Sequence, residues 1–213
     1  MCIIGDKVVK GLLEIGAVSI NIEQPYIWAS GIKAPIYCDN RKTIGHYHLR
    51  RLIALQLTER IKAQFSTVDL IGGTATAGIP HATSVADNLA LPLVYFRSKP
   101  KAHGTNSVIE GDFKQGQKIV IVEDLISTGG SVLQCVAHAR ASGLDVLGVV
   151  SIVNYELTQA ANNFDAARVR VASLVGFSEI YEALALPKAE RAMIETWRKN
   201  PDEAKIWGKN DKK

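Results

Sequence analysis

Two acids stand side by side at the end of an apolar run in this chain, and a turn of hydroxyls and glycines follows them: Ile119-Val-Ile-Val-Glu123-Asp124-Leu125-Ile126-Ser127-Thr128-Gly129-Gly130-Ser131. Gly129 and Gly130 permit backbone conformations in which several N–H groups converge on one anion. Ser127, Thr128 and Ser131 add hydroxyl donors, and the start of a helix adds positive dipole. Together they suit one phosphate monoester. Carboxylates repel phosphate, so Glu123 and Asp124 suit ribose hydroxyls or a magnesium-linked sugar instead. The implied ligand is a sugar phosphate. The motif has neither the GK[ST] of an ATP phosphate loop nor the G-x-G-x-x-G of a dinucleotide fold, so those readings lose their main support. An ordinary strand-to-helix turn would account for the glycines and hydroxyls but not for the two acids.

Two other loops bear on the same chemistry. The stretch from Arg97 to about Gln117 is long for a connection between strands and carries Arg97, Lys99, Lys101 and His103 among glycines and Asn106. Beside a phosphate motif it reads as a cationic lid that closes over a polyphosphate and neutralises a departing pyrophosphate. The small-residue loop Gly72-Gly73-Thr74-Ala75-Thr76-Ala77-Gly78 follows a strand and could receive the other end of a pyrophosphate; small residues there also permit close helix–sheet packing.

These loops need elements to hold them. Apolar spacing predicts a helix over 5–16 that stops at Gly16, an irregular segment from Ile20 to Lys42 broken by Pro25, Gly31 and Pro35, and an amphipathic helix over about 45–65 with Leu49, Leu52, Ile53, Leu57 and Ile61 on one stripe. Strand and helix patterns then alternate: strands at 68–73, 93–96, 118–123, 145–153 and 169–175, with helices after Pro80, from Gly130 and up to Phe164. Nearly continuous β-branched runs alternating with helices predict an α/β fold, a central parallel sheet covered on both faces, with ligands at the carboxyl ends of its strands. The expected organisation is an N-terminal hood over 1–44, a core over 45–177, and C-terminal helices over 178–213 that fold back on the N-terminal segment, with Trp197 and Trp207 as packing anchors.

Composition narrows the function classes. The 213 residues are 47% hydrophobic and 22% charged, ordinary for a globular chain, which excludes collagen, coiled coil and disorder. The net charge is +4, and the excess sits largely in residues 188–213, so no basic face for nucleic acid is evident. Cys2, Cys38 and Cys135 are scattered and odd in number, which fits neither a disulfide framework nor a zinc ribbon and points to a reducing compartment. The longest apolar run, around Val146 to Val153, is too short for a membrane span, and the first residues lack a signal peptide's pattern, so a cytoplasmic location is expected.

The acid pair and its phosphate loop, VIVEDLISTGGS, resemble the hallmark of the phosphoribosyltransferases that use 5-phosphoribosyl 1-diphosphate (PRPP). YFRSKPKAHG at 95–104 resembles the lid of the orotate-using branch of that family, and ASGIKAPIYCDNR at 29–41 its N-terminal substrate segment. The resemblance implies transfer of ribose 5-phosphate from PRPP to orotate in pyrimidine synthesis, with Mg2+ carried by PRPP rather than by a protein metal site. It implies a homodimer whose lid serves the neighbouring subunit. Carried over, Arg97, Lys101 and His103 hold the pyrophosphate, Glu123 and Asp124 the ribose, and Leu125, Ile126, Ser127, Thr128, Gly129, Gly130 and Ser131 the 5-phosphate. Ser127 also lies near orotate, and Lys101 and Asp124 are the catalytic candidates. The chain departs from the family at Ala29 and Ala77, each replacing a lysine, at Ser98 after the lid arginine, at Glu123 in place of Asp, and at Asn154-Tyr155 in place of Asp-Arg. Lys33 and Arg41 are therefore the candidates for the missing orotate cation, and Tyr37 for the pyrimidine face.

Two rivals follow from the same residues. A purine or other base-specific phosphoribosyltransferase would share the acid pair but not need this lid. A non-catalytic PRPP sensor would normally carry a DNA-binding helix pair, and the 45–65 helix commits its apolar stripe to the core. His46 and His48 read as helix-start polar residues, His81 and His138 as surface or satisfied core groups, and Cys38 and Cys135 as packing residues.

Overall fold

The computed structural model describes residues 3–28, 30–98 and 108–201. Helix α1 (Ile3–Glu14) buries Val8, Val9 and Leu12 and ends in a Schellman turn, in which Ala17 N–H donates to the Leu12 carbonyl at 2.9 Å and Gly16 N–H to that of Leu13 at 3.0 Å. Four short strands follow: β1 (Val18–Ile20), β2 (Tyr26–Ile27), β3 (Lys33–Ala34) and β4 (Ile36–Cys38). β1 pairs antiparallel with β4, and β2 with β3, so the segment expected to be irregular is a small hood with its own ladders. A 3-10 turn (Asn40–Gly45) leads into α2 (Tyr47–Gln64), whose buried side is Leu49, Ile53, Ala54, Leu57, Thr58 and Ile61.

The main sheet is built from β5 (Leu70–Thr74), β6 (Leu93–Phe96), β7 (Ile109–Glu110), β8 (Lys118–Ile126), β9 (Asp145–Asn154) and β10 (Val171–Gly176), in the order β10-β9-β8-β5-β6-β7. All neighbours are parallel except β7, an antiparallel two-residue edge strand that the sequence pattern did not announce. Helices α3 (Gly78–Leu89), α4 (Gly130–Ala141) and α5 (Thr158–Ala167) connect the strands, and α6 (Phe177–Ala183) and α7 (Lys188–Lys199) close the described chain.

Side-chain alternation along β8 divides the core into two layers. Val120 and Val122 pack on the face that carries α1, α2 and α3, while Ile119 and Ile121 pack on the face that carries Val132 and Val136 of α4 and Phe164 of α5. The sheet is thus covered on both sides, which is why its strands are apolar at nearly every position. The segment 1–44 is not a separate hydrophobic unit: Val8 of α1 and Trp28 and Ile36 of the hood share one cluster with Ile53 of α2 and Val150 of β9.

The C-terminal helices do fold back. Trp197 is fully buried, donates its indole N–H to the Lys33 carbonyl at 2.9 Å, and meets Trp28 edge-on at 5.5 Å. Trp207 lies outside the described residues. Among the described residues, no helix is long and apolar enough to cross a membrane.

Candidate active site

After β5 the chain turns into α3 on one face of the sheet, and after β8 it turns into α4 on the opposite face. Between two such strands the carboxyl ends splay apart and leave a crevice, the usual ligand position in an open α/β sheet. Here it is a cleft of about 430 Å³ lined from below by Ala75, Thr76, Ala77, Glu123, Asp124, Leu125, Ser127 and Ser131. The hood supplies the opposite wall with Trp28, Tyr37, Cys38, Asp39 and Arg41, and Tyr155 stands after β9. A second groove, about 550 Å³ between α1 and the start of α2, has neither a carboxylate pair nor a phosphate loop.

The turn after β8 has the conformation an anion cradle requires. Gly129 caps α4 with φ +79°, a left-handed backbone that other residues adopt only with strain, and a Cβ there would lie 2.7 Å from the Phe164 ring. Asn163 of α5 donates to the Thr128 carbonyl at 2.9 Å and holds the turn from behind. Ser127 and Ser131 face the cleft, and the twelve-residue helix α4 points its amino end at it. Leu125 lines the cleft, whereas the Ile126 side chain is buried in the core and its carbonyl accepts from Tyr155 N–H at 2.9 Å.

Glu123 is 7% exposed, and its Oε1 accepts the Thr74 hydroxyl at 2.6 Å and the Asp124 N–H at 3.0 Å. Burial first, and the adjacent Asp124 second, push its carboxyl up to about 8. Burial also raises Asp124. This geometry needs the glycine at position 78: a Cβ there would run into Thr74 Oγ1 and lie 2.6 Å from the Val122 carbonyl. The small residues of the 72–78 loop thus let α3 begin against the end of β8, and Ala75, Thr76 and Ala77 also form cleft wall.

On the hood, Arg41 is braced within its own segment. Its Nε donates to Asp39 Oδ1 at 2.6 Å and its Nη2 to the Tyr37 hydroxyl at 2.9 Å. A guanidinium has five N–H donors, so several remain for a ligand. Trp28 stacks on Tyr155 with ring centroids 4.1 Å apart and planes 10° apart, and the Tyr155 hydroxyl accepts the Cys38 N–H at 2.8 Å.

The fold therefore brings Glu123, Asp124, Leu125, Ser127, Ser131, Tyr37 and Arg41 to one cleft, with Thr128, Gly129 and Gly130 closing the turn beneath it. Lys33 is not among the lining residues; it sits in β3, where its carbonyl receives Trp197. Arg97 follows β6 and pairs with Glu110 of β7 at 3.0 Å. Lys101 and His103 lie outside the described residues, as do Lys99, Asn106 and Ala29. Trp28, Asp39 and Tyr155 also line the cleft although the sequence does not predict them as site residues; an aromatic in a Pro- and Gly-broken segment is the signal it offers for Trp28.

Other candidates fall away or change. Among the described residues no group of three or more His, Cys, Asp or Glu is placed to hold a metal ion, and His46 caps α2 without a side-chain bond. Burial pushes the Cys38 and Cys135 thiols up to about 12, which suits packing rather than nucleophilic attack. His81 is buried but not fully satisfied: Nε2 lies 3.1 Å from Thr43 Oγ1, and Nδ1 has no partner among the described residues.

Comparison with known proteins agrees with this architecture. The phosphoribosyl transferase domain family matches residues 47–183. The orotate phosphoribosyltransferase of Bacillus mycoides (strain KBAB4) is 49% identical over 199 residues, covering 92% of this chain and 95% of that protein. The crystal structure of orotate phosphoribosyltransferase from Aeropyrum pernix superposes with a TM-score of 0.73 at 28% identity, covering 83% of this chain and 97% of that one. The UMP synthase of Leishmania donovani shares the fold, with a TM-score of 0.78 at 23% identity over 92% of this chain and 42% of its own. A family match over the whole core, together with 49% identity to relatives along nearly the whole length, shows that the chain with this strand-end acid pair, phosphate turn and hood belongs to the phosphoribosyl transferase family, in its orotate phosphoribosyltransferase branch.

Proposed function

We propose that this chain transfers the 5-phosphoribosyl group of PRPP to N1 of orotate, releasing pyrophosphate and forming orotidine 5′-monophosphate. The observation that carries the reading is the joining, in one cleft, of the Glu123–Asp124 pair and the Gly129-capped phosphate turn with a hood wall that presents Arg41. In this reading the N–H groups and hydroxyls of 127–131 bind the 5-phosphate and fix the sugar. Asp124 receives the ribose hydroxyls, and its negative charge lies beside the anomeric carbon as positive charge builds there. Arg41, already oriented by Asp39 and Tyr37, offers its remaining N–H groups to the orotate carboxylate, a planar fork-to-fork pairing. The Tyr37 ring and the Trp28–Tyr155 stack confine the base and exclude water.

Mg2+ is proposed to enter with PRPP. The donor proposed to lie nearest the sugar, Asp124, offers carboxylate oxygens, which suit this hard cation, and when bound the cation would supply charge neutralisation on the pyrophosphate. Arg97, Lys101 and His103 would complete that neutralisation from the lid, and the homodimer with a shared lid and the cytoplasmic location belong to the same proposal. Loss of orotate absorbance on adding PRPP and Mg2+ tests the function. Wild type should consume orotate only with PRPP present, and Lys101→Ala should stay folded while turnover falls by about a hundredfold or more, the scale of a lost transition-state cation. Orotate left untouched by wild type would remove the substrate assignment, and a Lys101→Ala variant of undiminished rate would remove the lid's role.

A further inference from the structure

β5 pairs with β8 only as far as Gly73 beside Val122, so the Asp124 carbonyl lies two residues beyond the last pairing on that side. Asn40 of the hood, 1% exposed, fills the gap: its Nδ2 donates to this carbonyl at 2.8 Å. Asn40 is in turn held from both sides. Its Oδ1 accepts the Cys38 thiol at 3.3 Å, and its own carbonyl accepts the Thr43 hydroxyl at 2.6 Å. A hydroxyl has one proton, and Thr43 spends it on Asn40. The 3.1 Å contact between Thr43 Oγ1 and His81 Nε2 must therefore run from ring to hydroxyl, which puts the His81 proton on Nε2 and leaves Nδ1 as a bare lone pair. Among the described residues that Nδ1 is the buried side-chain atom without a partner, the position where a missing proton is best tolerated.

Three buried polar side chains each incur a desolvation cost that an apolar residue of the same shape would not. Their hydrogen bonds run in series to one atom, the carbonyl of the residue whose carboxylate faces the cleft. We propose that Asn40, Thr43 and His81 are positioning residues, a buried relay from α3 through the 3-10 turn to the Asp124 peptide that sets the direction of its carboxylate toward the ribose. This rests on the phosphoribosyl-transfer reading above. The relay ties the hood, α3 and the end of β8 into one rigid frame around the sugar.

The test uses the full chain. Thr43→Val keeps the shape and removes both bonds, and Thr43→Ser keeps the hydroxyl. With orotate and PRPP, Thr43→Val should lower kcat about tenfold with KM for orotate changed less than about twofold, and Thr43→Ser should return to within about twofold of wild type. Should Thr43→Val not fold, Asn40→Gln, which retains the amide but displaces it, is held to the same limits. A variant that keeps wild-type kcat, or a serine that fails to rescue, overturns the relay. Independently of activity, nitrogen-15 spectra of the wild-type imidazoles should show His81 as the neutral Nε2–H tautomer near pH 7, and an Nδ1–H ring overturns it. If wild type leaves orotate untouched, the substrate reading fails and these ring nitrogens alone decide the relay.

Discussion

Lowering the pH should strip stability from this protein through one ring. His81 is fully buried, and burial first, with the nearby Arg50 guanidinium second, pushes its imidazole down to about 4 from an ordinary value of 6.5. The unfolded chain therefore binds a proton that the folded chain refuses between those two values, so stability rises with pH across the window and falls as pH drops through it. The full shift corresponds to about 3.4 kcal/mol, and about 2 kcal/mol of it is lost between pH 8 and pH 5. The buried carboxyls act in the opposite sense. Glu123 and Asp124 are raised in the fold, so their contribution is greatest at low pH and declines as pH rises. The total profile mixes both, and the informative quantity is a difference. His81→Gln keeps an amide donor but cannot ionise, and the carboxyls are unchanged in it. Urea denaturation of wild type and His81→Gln at pH 8, 6 and 5 should show wild type losing about 2 kcal/mol more than the variant between the extremes. Equal losses, within about 0.5 kcal/mol, would mean that the ring is not held neutral and that the inferred tautomer chain is wrong.

Two further outcomes follow from the same geometry. Gly129→Ala places a Cβ on a backbone at φ +79° and 2.7 Å from the Phe164 ring, and a left-handed alanine alone costs about 1–2 kcal/mol, so KM for PRPP should rise about tenfold while KM for orotate stays near wild type; an unchanged PRPP KM would take the 5-phosphate away from this turn. Glu123→Gln removes a carboxyl whose folded value lies near 8, so the variant should gain on wild type in denaturation experiments as pH rises from 5 to 9, and a gain in the other direction would contradict the buried protonated state.

The parts of the site that could be read from sequence are those contiguous along it. The phosphate turn is a run of adjacent residues whose conformations follow from glycine and hydroxyl chemistry, and β8 announces itself by its β-branched run. The hood contacts carry no such signal. Cys38 meets Tyr155, Asn40 meets Asp124 and Trp197 meets Lys33 across 117, 84 and 164 residues of sequence, and no periodicity links a polar group to a partner that distant. Lys33 shows why charge alone misleads. Tyr37, Cys38, Asp39 and Arg41 line the cleft, but Pro35 interrupts the strand between Ala34 and Ile36, so β3 and β4 join different ladders and nearness in sequence does not carry Lys33 onto that wall. The buried histidine was hidden for a related reason: its helical position leaves a surface and a core placement both open, and its contact with Thr43 depends on the 3-10 turn packed against it.

The unequal acid pair has a physical rationale. Two full negative charges at the floor of a cleft that must accept a polyanion would repel it, and at about 4 Å that repulsion is worth roughly 4 kcal/mol per charge pair at an effective dielectric constant of 20. With burial raising Glu123 to about 8, the pair carries less than two full charges near neutral pH, and in the proposed reading it is Asp124 that faces the ribose. The longer glutamate side chain serves this end. It reaches Thr74 at 2.6 Å, turning its carboxyl into the seam between β5 and β8, where burial keeps the proton on. The same bond fastens the last residue of β5, where the small-residue loop departs, to β8 near its end, so neutralising one acid and fixing the floor of the cleft are consequences of a single side-chain choice.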